Sequence, residues 1–318
     1  MLVDEVRKSC KAVEAAACHV RVSIDAVGGF VNGITREELL AITSPKAFDS
    51  ELHFFDGGPR TVQYLLAVDT INFAFWPEPG LEYEHLARGF KEALQCDPDA
   101  LSAQRLSRMT GIQLQTMLSR PGPLPAQEER AALLCEVGSI LLRDFGGEAA
   151  QLVTAAGGSA AKLVDLVVES FPGFRDVASY RGREVWFLKR AQIFAGDVWG
   201  AFQGQGLGNF HDIGRLTMFA DYRVPVLLRQ LGILQYSSEL ASRVDSLQEL
   251  PAGCQEEVEI RACTIQALDN IKAALKGRCG RESCPLPHSV QLDWFLWEQG
   301  ERQRTNSPPH HRTVTTFY

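Results

Sequence analysis

Leu133-Leu134-Cys135-Glu136-Val137-Gly138-Ser139-Ile140-Leu141-Leu142-Arg143-Asp144-Phe145-Gly146-Gly147 sets the character of this chain. Leu133, Leu134, Val137, Ile140, Leu141 and Phe145 recur at helical spacing, which predicts a helix with one apolar face, and Gly146-Gly147 supplies its stop. A break from Pro121 to Pro125 precedes it. Further along, Leu163, Leu166 and Val167, then Phe187, Leu188, Ala191, Ala195 and Val198, keep similar spacing on either side of Phe171-Pro172-Gly173, predicting two helices. Val258, Ile260, Ile265, Leu268, Ile271 and Leu275 predict a long one. Strand signals are confined to the apolar run Val62 to Val68 and the aromatic-rich Ile71 to Trp76. Strands and helices do not alternate along the chain, so a doubly wound α/β fold is not expected. The reading is a mainly α fold with at most a small β element.

With 318 residues, 45% apolar and 22% charged, the chain can bury a substantial core without disulfides or metals. No linker-like tract divides it, so residues 1–318 read as one two-lobed domain. The formal net charge of −7 argues against a broad basic surface for polymeric nucleic acid and favours a small-molecule partner. No run of eighteen or more apolar residues occurs, and Met1-Leu2-Val3-Asp4-Glu5 lacks the blocks of a signal peptide. A cytosolic or nuclear location without membrane association is the default expectation. Eight cysteines show no CxxC pair and read as reduced thiols. Cys279, Cys284 and His288 match no zinc spacing, so no metal or other cofactor is expected.

Glycine-rich Gly204-Gln205-Gly206-Leu207-Gly208 follows a helical pattern rather than a strand and lacks the last glycine of a dinucleotide loop, so it reads as a connector. Chemistry is better placed in Phe210 to Pro225. Pro225 suits the first turn of a helix carrying Val226, Leu227, Leu228 and Leu231, with Gly232 as terminator. Asp221 then stands just before a helix N-terminus, where a carboxylate serves equally as a cap or as a catalytic group. A second cluster lies near the C-terminus. Asp293, Trp294, Trp297 and Glu298 fall within about 140° of one helix, so two carboxylates and two indoles share a region suited to a planar base. The same spacing fits an amphipathic helix with buried tryptophans and solvated acids. His53 reads equally as a satisfied histidine or a ligand contact.

Six blocks give this pattern a family resemblance. They are Asp69-Thr70-Ile71-Asn72-Phe73-Ala74-Phe75-Trp76, Leu166-Val167-Val168-Glu169-Ser170-Phe171-Pro172, Phe187-Leu188-Lys189-Arg190-Ala191-Gln192-Ile193, Met218-Phe219-Ala220-Asp221-Tyr222-Arg223-Val224-Pro225, Glu257-Val258-Glu259-Ile260-Arg261 and Leu292-Asp293-Trp294-Phe295-Leu296-Trp297. Together, in this order and from about Leu52 to Tyr318, they resemble the queuosine salvage proteins. That resemblance implies a helical fold related to helix-hairpin-helix DNA glycosylases. It also implies hydrolysis of the N-glycosidic bond of queuosine 5′-monophosphate, which releases queuine for reuse in tRNA modification. By the same resemblance Asp221 is the catalytic carboxylate, acting at the ribose as nucleophile or electrostatic stabiliser, and His53, Phe219, Asp293, Trp294 and Glu298 contact the base. Trp294 and Glu298 depart from the tyrosine and aspartate common at those positions in the family. Trp294 keeps a stacking face without a phenolic O–H, and Glu298 reaches about one methylene further.

The implied chemistry agrees with the residue types. Breaking a C1′–N bond builds positive charge on the ribose, which an ionised Asp221 can stabilise or capture. Queuine carries a secondary amine and ring donors, for which Asp293 and Glu298 are acceptors, while Phe219 and Trp294 offer stacking faces. The 5′-phosphate needs cationic donors, and Lys189, Arg190, Arg223 and His310-His311-Arg312 are all chemically suitable. The competing reading is a non-catalytic nucleoside- or tRNA-binding module on a glycosylase-like fold. The acidic balance counts against it, and against a DNA-repair glycosylase.

Overall fold

The computed structural model describes residues 1–44, 51–76, 81–118, 124–282 and 285–318. Cys284, and the Pro121 to Pro125 break apart from Leu124 and Pro125, lie outside the described residues. Fifteen α-helices and two two-stranded antiparallel sheets make up the regular structure among those described, so the fold is mainly α. None of these helices is long and apolar enough to cross a membrane. Backbone packing divides the chain into two compact units. One comprises Met1–Ser44, Asp176–Lys189 and Gly214–Val314, the other Pro45–Arg175, Arg190–Ile213 and Thr315–Tyr318.

The first unit is built on the predicted long helix, Gln255–Glu282, against which helices Leu2–Ala16 and Ile24–Gly33 pack. From Glu257 to Leu268 every residue of that helix is buried. Charges in such a place need partners. Glu259 supplies one set: its Oε2 accepts the N–H groups of Cys18, His19 and Val20 at 3.0, 2.6 and 3.1 Å, and its Oε1 accepts the Tyr180 hydroxyl at 2.8 Å. The acid thereby organises the entry to strand Val20–Val22, which pairs antiparallel with Leu234–Tyr236.

A hairpin, Val177–Tyr180 with Arg183–Trp186, lies between the two stretches of helical spacing and delays the start read at Phe187 and Leu188. Arg181 and Gly182 both have positive φ, 51° and 77°, the backbone of a primed two-residue turn that matches strand twist. The helix begins only at Lys189, after Leu188 at φ 56°. Phe187 and Leu188 are therefore buried in the connection, with their N–H groups on the Asp176 carbonyl.

The second unit packs around helix Pro59–Thr70, which contacts helices Tyr83–Cys96, Gln127–Asp144 and Ala149–Ala155. This corrects the strand expected over Val62 to Val68. Thr61 through Thr70 are all buried, and a helix buried on every face shows no amphipathic period. Ile71 to Trp76 forms no strand either. The Arg130 guanidinium takes the carbonyls of Ile71, Phe73 (2.6 Å) and Ala74 (2.9 Å), and Ala74 donates to the Tyr318 carbonyl at 3.0 Å. A buried arginine thus satisfies backbone groups that a sheet would otherwise pair. Helix Gln127–Asp144 and its stop are as predicted, with Gly146 and Gly147 at φ 60° and 85°. The glycine-rich connector is a turn followed by a 3-10 segment, Gly206–Gly208.

Candidate functional site

The segment from Leu216 to Ala220 is buried, yet it belongs to neither helix nor strand, so its backbone bonds must come from elsewhere. Distant charged side chains provide several of them, beginning with Arg7, whose Nη2 donates to the Leu216 carbonyl at 2.7 Å. Asp293 Oδ1 accepts the Phe219 N–H at 3.0 Å, and Arg261 Nε donates to the Ala220 carbonyl at 3.2 Å. Asp221 then uses its own carboxylate locally: Oδ1 accepts the N–H groups of Arg223 and Val224 at 2.9 and 3.1 Å. These are the N–H groups at the start of helix Val224–Gln230, whose first turn contains Pro225 and which ends before Gly232 at φ 69°. The capping role open to Asp221 is realised, and it falls entirely on Oδ1. The half-buried carboxylate is fixed in rotation, with Oδ2 outside those two bonds.

Arg261 is itself held firmly. Its Nη1 and Nη2 bind Asp176 at 2.9 and 2.6 Å in a bidentate fork, its guanidinium lies 3.9 Å from the centre of the Phe187 ring, and Glu257 stands 3.7 Å away. Asp176 also accepts the Lys189 N–H at 3.1 Å. One ion pair therefore links the residue before Asp221 to the Lys189 backbone within the same unit. Neither Asp176 nor the role of Arg261 was singled out from sequence. The available signal was the charged run Glu257-Val258-Glu259-Ile260-Arg261 inside a helix whose period buries it.

Asp293 comes from helix Ser289–Arg302, which starts at His288 with a capping box to Gln291. The carboxylate is 5% exposed, while Trp294 and Trp297 are half-buried. Buried tryptophans with solvated acids, the amphipathic alternative, is therefore not what forms at Asp293. Glu298 is more open and lies 3.5 Å from Arg302. The structure thus joins Phe219 and Asp293 directly, and Trp294 and Glu298 follow around the same helix. His53 belongs to the other unit. Its Nδ1 is 3.2 Å from the Tyr64 hydroxyl, which lies 3.0 Å from the Ala87 carbonyl. Its ring lies 5.8 Å from that of Tyr83, and burial pushes both tyrosine hydroxyls well above their usual range.

Of the cations considered for a phosphate, Arg190 is 1% exposed and spent on the Thr70 and Gly173 carbonyls. His311 and Lys189 are also buried. Arg223 and His310 are more open and flank Tyr222. Among the described residues, no group of three or more His, Cys, Asp or Glu is arranged to hold a metal ion.

Comparison with known proteins places this arrangement. The family model described as queuosine salvage protein matches residues 52–318, a span containing every candidate site residue. The chain belongs to the queuosine salvage protein family. It is similar to a Dictyostelium discoideum protein named queuosine 5′-phosphate N-glycosylase/hydrolase, with 44% identity over 81% of this chain and 78% of the relative. Proteins of the same name from Sphaerobacter thermophilus and Mus musculus are 42% and 36% identical. The first alignment covers 86% of this chain and 87% of the relative, the second 80% and 81%.

Proposed function

We propose that this salvage-family protein hydrolyses the N-glycosidic bond of queuosine 5′-monophosphate and releases queuine, with Asp221 acting at the ribose. The names of the relatives support the reaction. The observation that carries the residue assignment is the division of labour within one carboxylate: two backbone N–H groups orient Oδ1 and leave Oδ2 outside those bonds, and in this reading Oδ2 is the atom that meets C1′. A preoriented anion stabilises developing positive charge without reorganising at the moment of reaction. As the C1′–N bond breaks, its electron pair leaves with the base, which gains a proton. Water supplies the oxygen that ends on C1′, directly or after capture of C1′ by Oδ2.

Phe219, Asp293, Trp294 and Glu298, all in one unit, make up the proposed base pocket. The Phe219–Asp293 bond couples the aromatic face to an acceptor, and the half-buried Trp294 supplies a second face for stacking. His53 stands in the other unit, beside Tyr64 and Tyr83.

Incubation with queuosine 5′-monophosphate and detection of free queuine tests the activity. Asp221→Asn tests the assignment, because the amide oxygen can keep both backbone bonds while the charge is lost. Base release should fall by about 10²–10³-fold or more in a folded variant. Near-normal turnover in that variant would refute the role of Asp221, and substrate binding with no base release by the wild type would favour the binding module.

A further inference from the structure

Helix Leu2–Ala16 reaches the loop that leads to Asp221 from a side that neither Asp293 nor Arg261 covers. Val3, Val6, Cys10 and Val13 bury one face of this helix, which packs against Gln255–Glu282. Arg7, half-buried, directs its guanidinium to three groups. Nη1 donates to the Arg215 carbonyl, Nη2 donates to the Leu216 carbonyl at 2.7 Å, and Nε lies 3.4 Å from Asp269 Oδ2. Asp4, one turn earlier, pairs with the Arg215 side chain at 2.5 Å. Further along the loop, the Thr217 hydroxyl donates to the Met218 carbonyl at 2.9 Å, Asp293 takes the Phe219 N–H and Arg261 the Ala220 carbonyl. Side chains therefore anchor the backbone from Arg215 to Ala220, and Arg7 supplies the two anchors at its start.

We propose that Arg7, aligned by Asp269, is a positioning residue for base release: it fixes the start of the loop whose other end presents Asp221. This rests on the assignment of Asp221 to the ribose. Arg7 precedes residues 52–318, the span of the family match, so the role comes from the structure alone. A rigid guanidinium fork can hold two successive carbonyls at once, which a single ammonium on a flexible stem does not. Those carbonyls belong to a buried segment without a sheet or helix ladder, where each backbone group needs a partner from outside. Anchoring helix Leu2–Ala16 does not require Arg7, because its four buried apolar side chains already do so. The Arg7–Asp269 pair, with side chains 29% and 27% exposed, adds little stability by itself. Its consequence is geometric. With Arg7 in place the loop is held at both ends, and Asp221 cannot shift by pivoting about Phe219 and Ala220.

The test sets kcat and KM for queuine release from queuosine 5′-monophosphate beside the urea midpoint of each variant. Arg7→Met keeps an apolar stem and loses both carbonyl bonds, so kcat should fall about ten- to hundred-fold with KM little changed. Arg7→Lys, which keeps the charge without the fork, should fall between. Val6→Ala opens a cavity on the same helix and lowers the urea midpoint, but it leaves the Arg7 bonds in place and should keep the wild-type kcat while folded. An unchanged kcat in Arg7→Met, or an equal fall in Val6→Ala, overturns the positioning role. Hydrogen exchange in peptides spanning residues 214–224 reads the brace without the reaction: it should quicken about tenfold in Arg7→Met and not in Val6→Ala. Equal exchange in the wild type and Arg7→Met overturns the brace. Absence of base release by the wild type, or near-normal turnover in Asp221→Asn, refutes the reading of Asp221 and with it the catalytic purpose of the brace, whose existence is then decided by exchange.

Discussion

Arg261 and Asp176 are each 3% exposed, and replacing them singly and together should separate the stability of their pair from its effect on Asp221. Arg261→Met strands the Asp176 carboxylate, leaving it the Lys189 N–H at 3.1 Å, and also strips the Ala220 carbonyl of its donor. An uncompensated buried charge of this kind costs about 3–5 kcal/mol. Asp176→Leu should fall at the lower end of that range, because Glu257, at 3.7 Å, stays close enough to share the guanidinium. The double variant removes both charges of the pair and leaves two unpaired backbone groups, at about 1–3 kcal/mol each if they stay dry, while taking the guanidinium from Glu257 just as Arg261→Met does. Urea unfolding followed by circular dichroism should therefore place the double variant above Arg261→Met, with a coupling energy of at least about 1 kcal/mol. Turnover should not recover with stability. Without Arg261 the Ala220 carbonyl is untethered, and displacement of a reacting group by an ångström costs about 10²-fold. Additive losses in the cycle would refute the pairing, and a double variant with wild-type kcat would refute the hold on Asp221.

Two further outcomes concern stability. Burial depresses His311 to about 3, with His310 and Arg261 adding to the effect, and His310 to about 4. The unfolded histidines titrate near ~6.5, so the unfolded chain binds more protons below that pH. Stability from these rings is full above about 6.5 and is lost as pH falls towards 4 and then 3, by up to about 1.4 kcal/mol per pH unit for each ring. Urea midpoints between pH 7 and 4.5 should decline, and His311→Phe should flatten the decline; a midpoint rising on acidification contradicts the assignment. In the second unit, Asp212 accepts the Ala160 N–H at 2.6 Å and the Ser159 hydroxyl at 2.7 Å, while Ser159 Oγ accepts the Lys162 N–H at 3.1 Å. Asp212→Ala should cost about 1–2 kcal/mol through the start of helix Ala160–Ser170, and an unchanged urea midpoint would exclude that role.

Legibility of the fold followed burial geometry. Helix Gln127–Asp144 buries one face and stops at two left-handed glycines, so its spacing and its end are written locally. Helix Val224–Gln230 announces itself through Pro225 and Gly232. Helix Pro59–Thr70 does not, because it is buried all round and its apolar run has the same appearance in a helix and in a central strand. Ile71 to Trp76 was misleading for another reason. Its aromatic, β-favouring composition describes burial, while its hydrogen bonds go to Arg130, more than fifty residues away. The hairpin at Arg181-Gly182 falls between the two stretches of helical spacing, and Phe187 and Leu188 share the apparent phase of Ala191 although they precede the helix.

The site divides along the same line. Asp221 before Pro225 is a local pattern, and its capping bonds are those such a pattern predicts. The capping and catalytic readings looked like competitors only because a carboxylate was treated as one functional group. With both backbone N–H groups on Oδ1, the two readings are compatible, and under the proposed role the cap is the device that orients Oδ2. What no local pattern could reveal is the bracing of the preceding peptides by Asp293 and Arg261, 74 and 41 residues along the chain from the groups they bind. Helix Gln255–Glu282 has an arginine in its buried stretch, and helix Ser289–Arg302 a buried aspartate, where apolar side chains would pack at less desolvation cost. Their bonds to Phe219 and Ala220 give that arrangement a physical reason: a loop that must present a carboxylate has no ladder of its own, so neighbouring helices supply its hydrogen bonds through charged side chains.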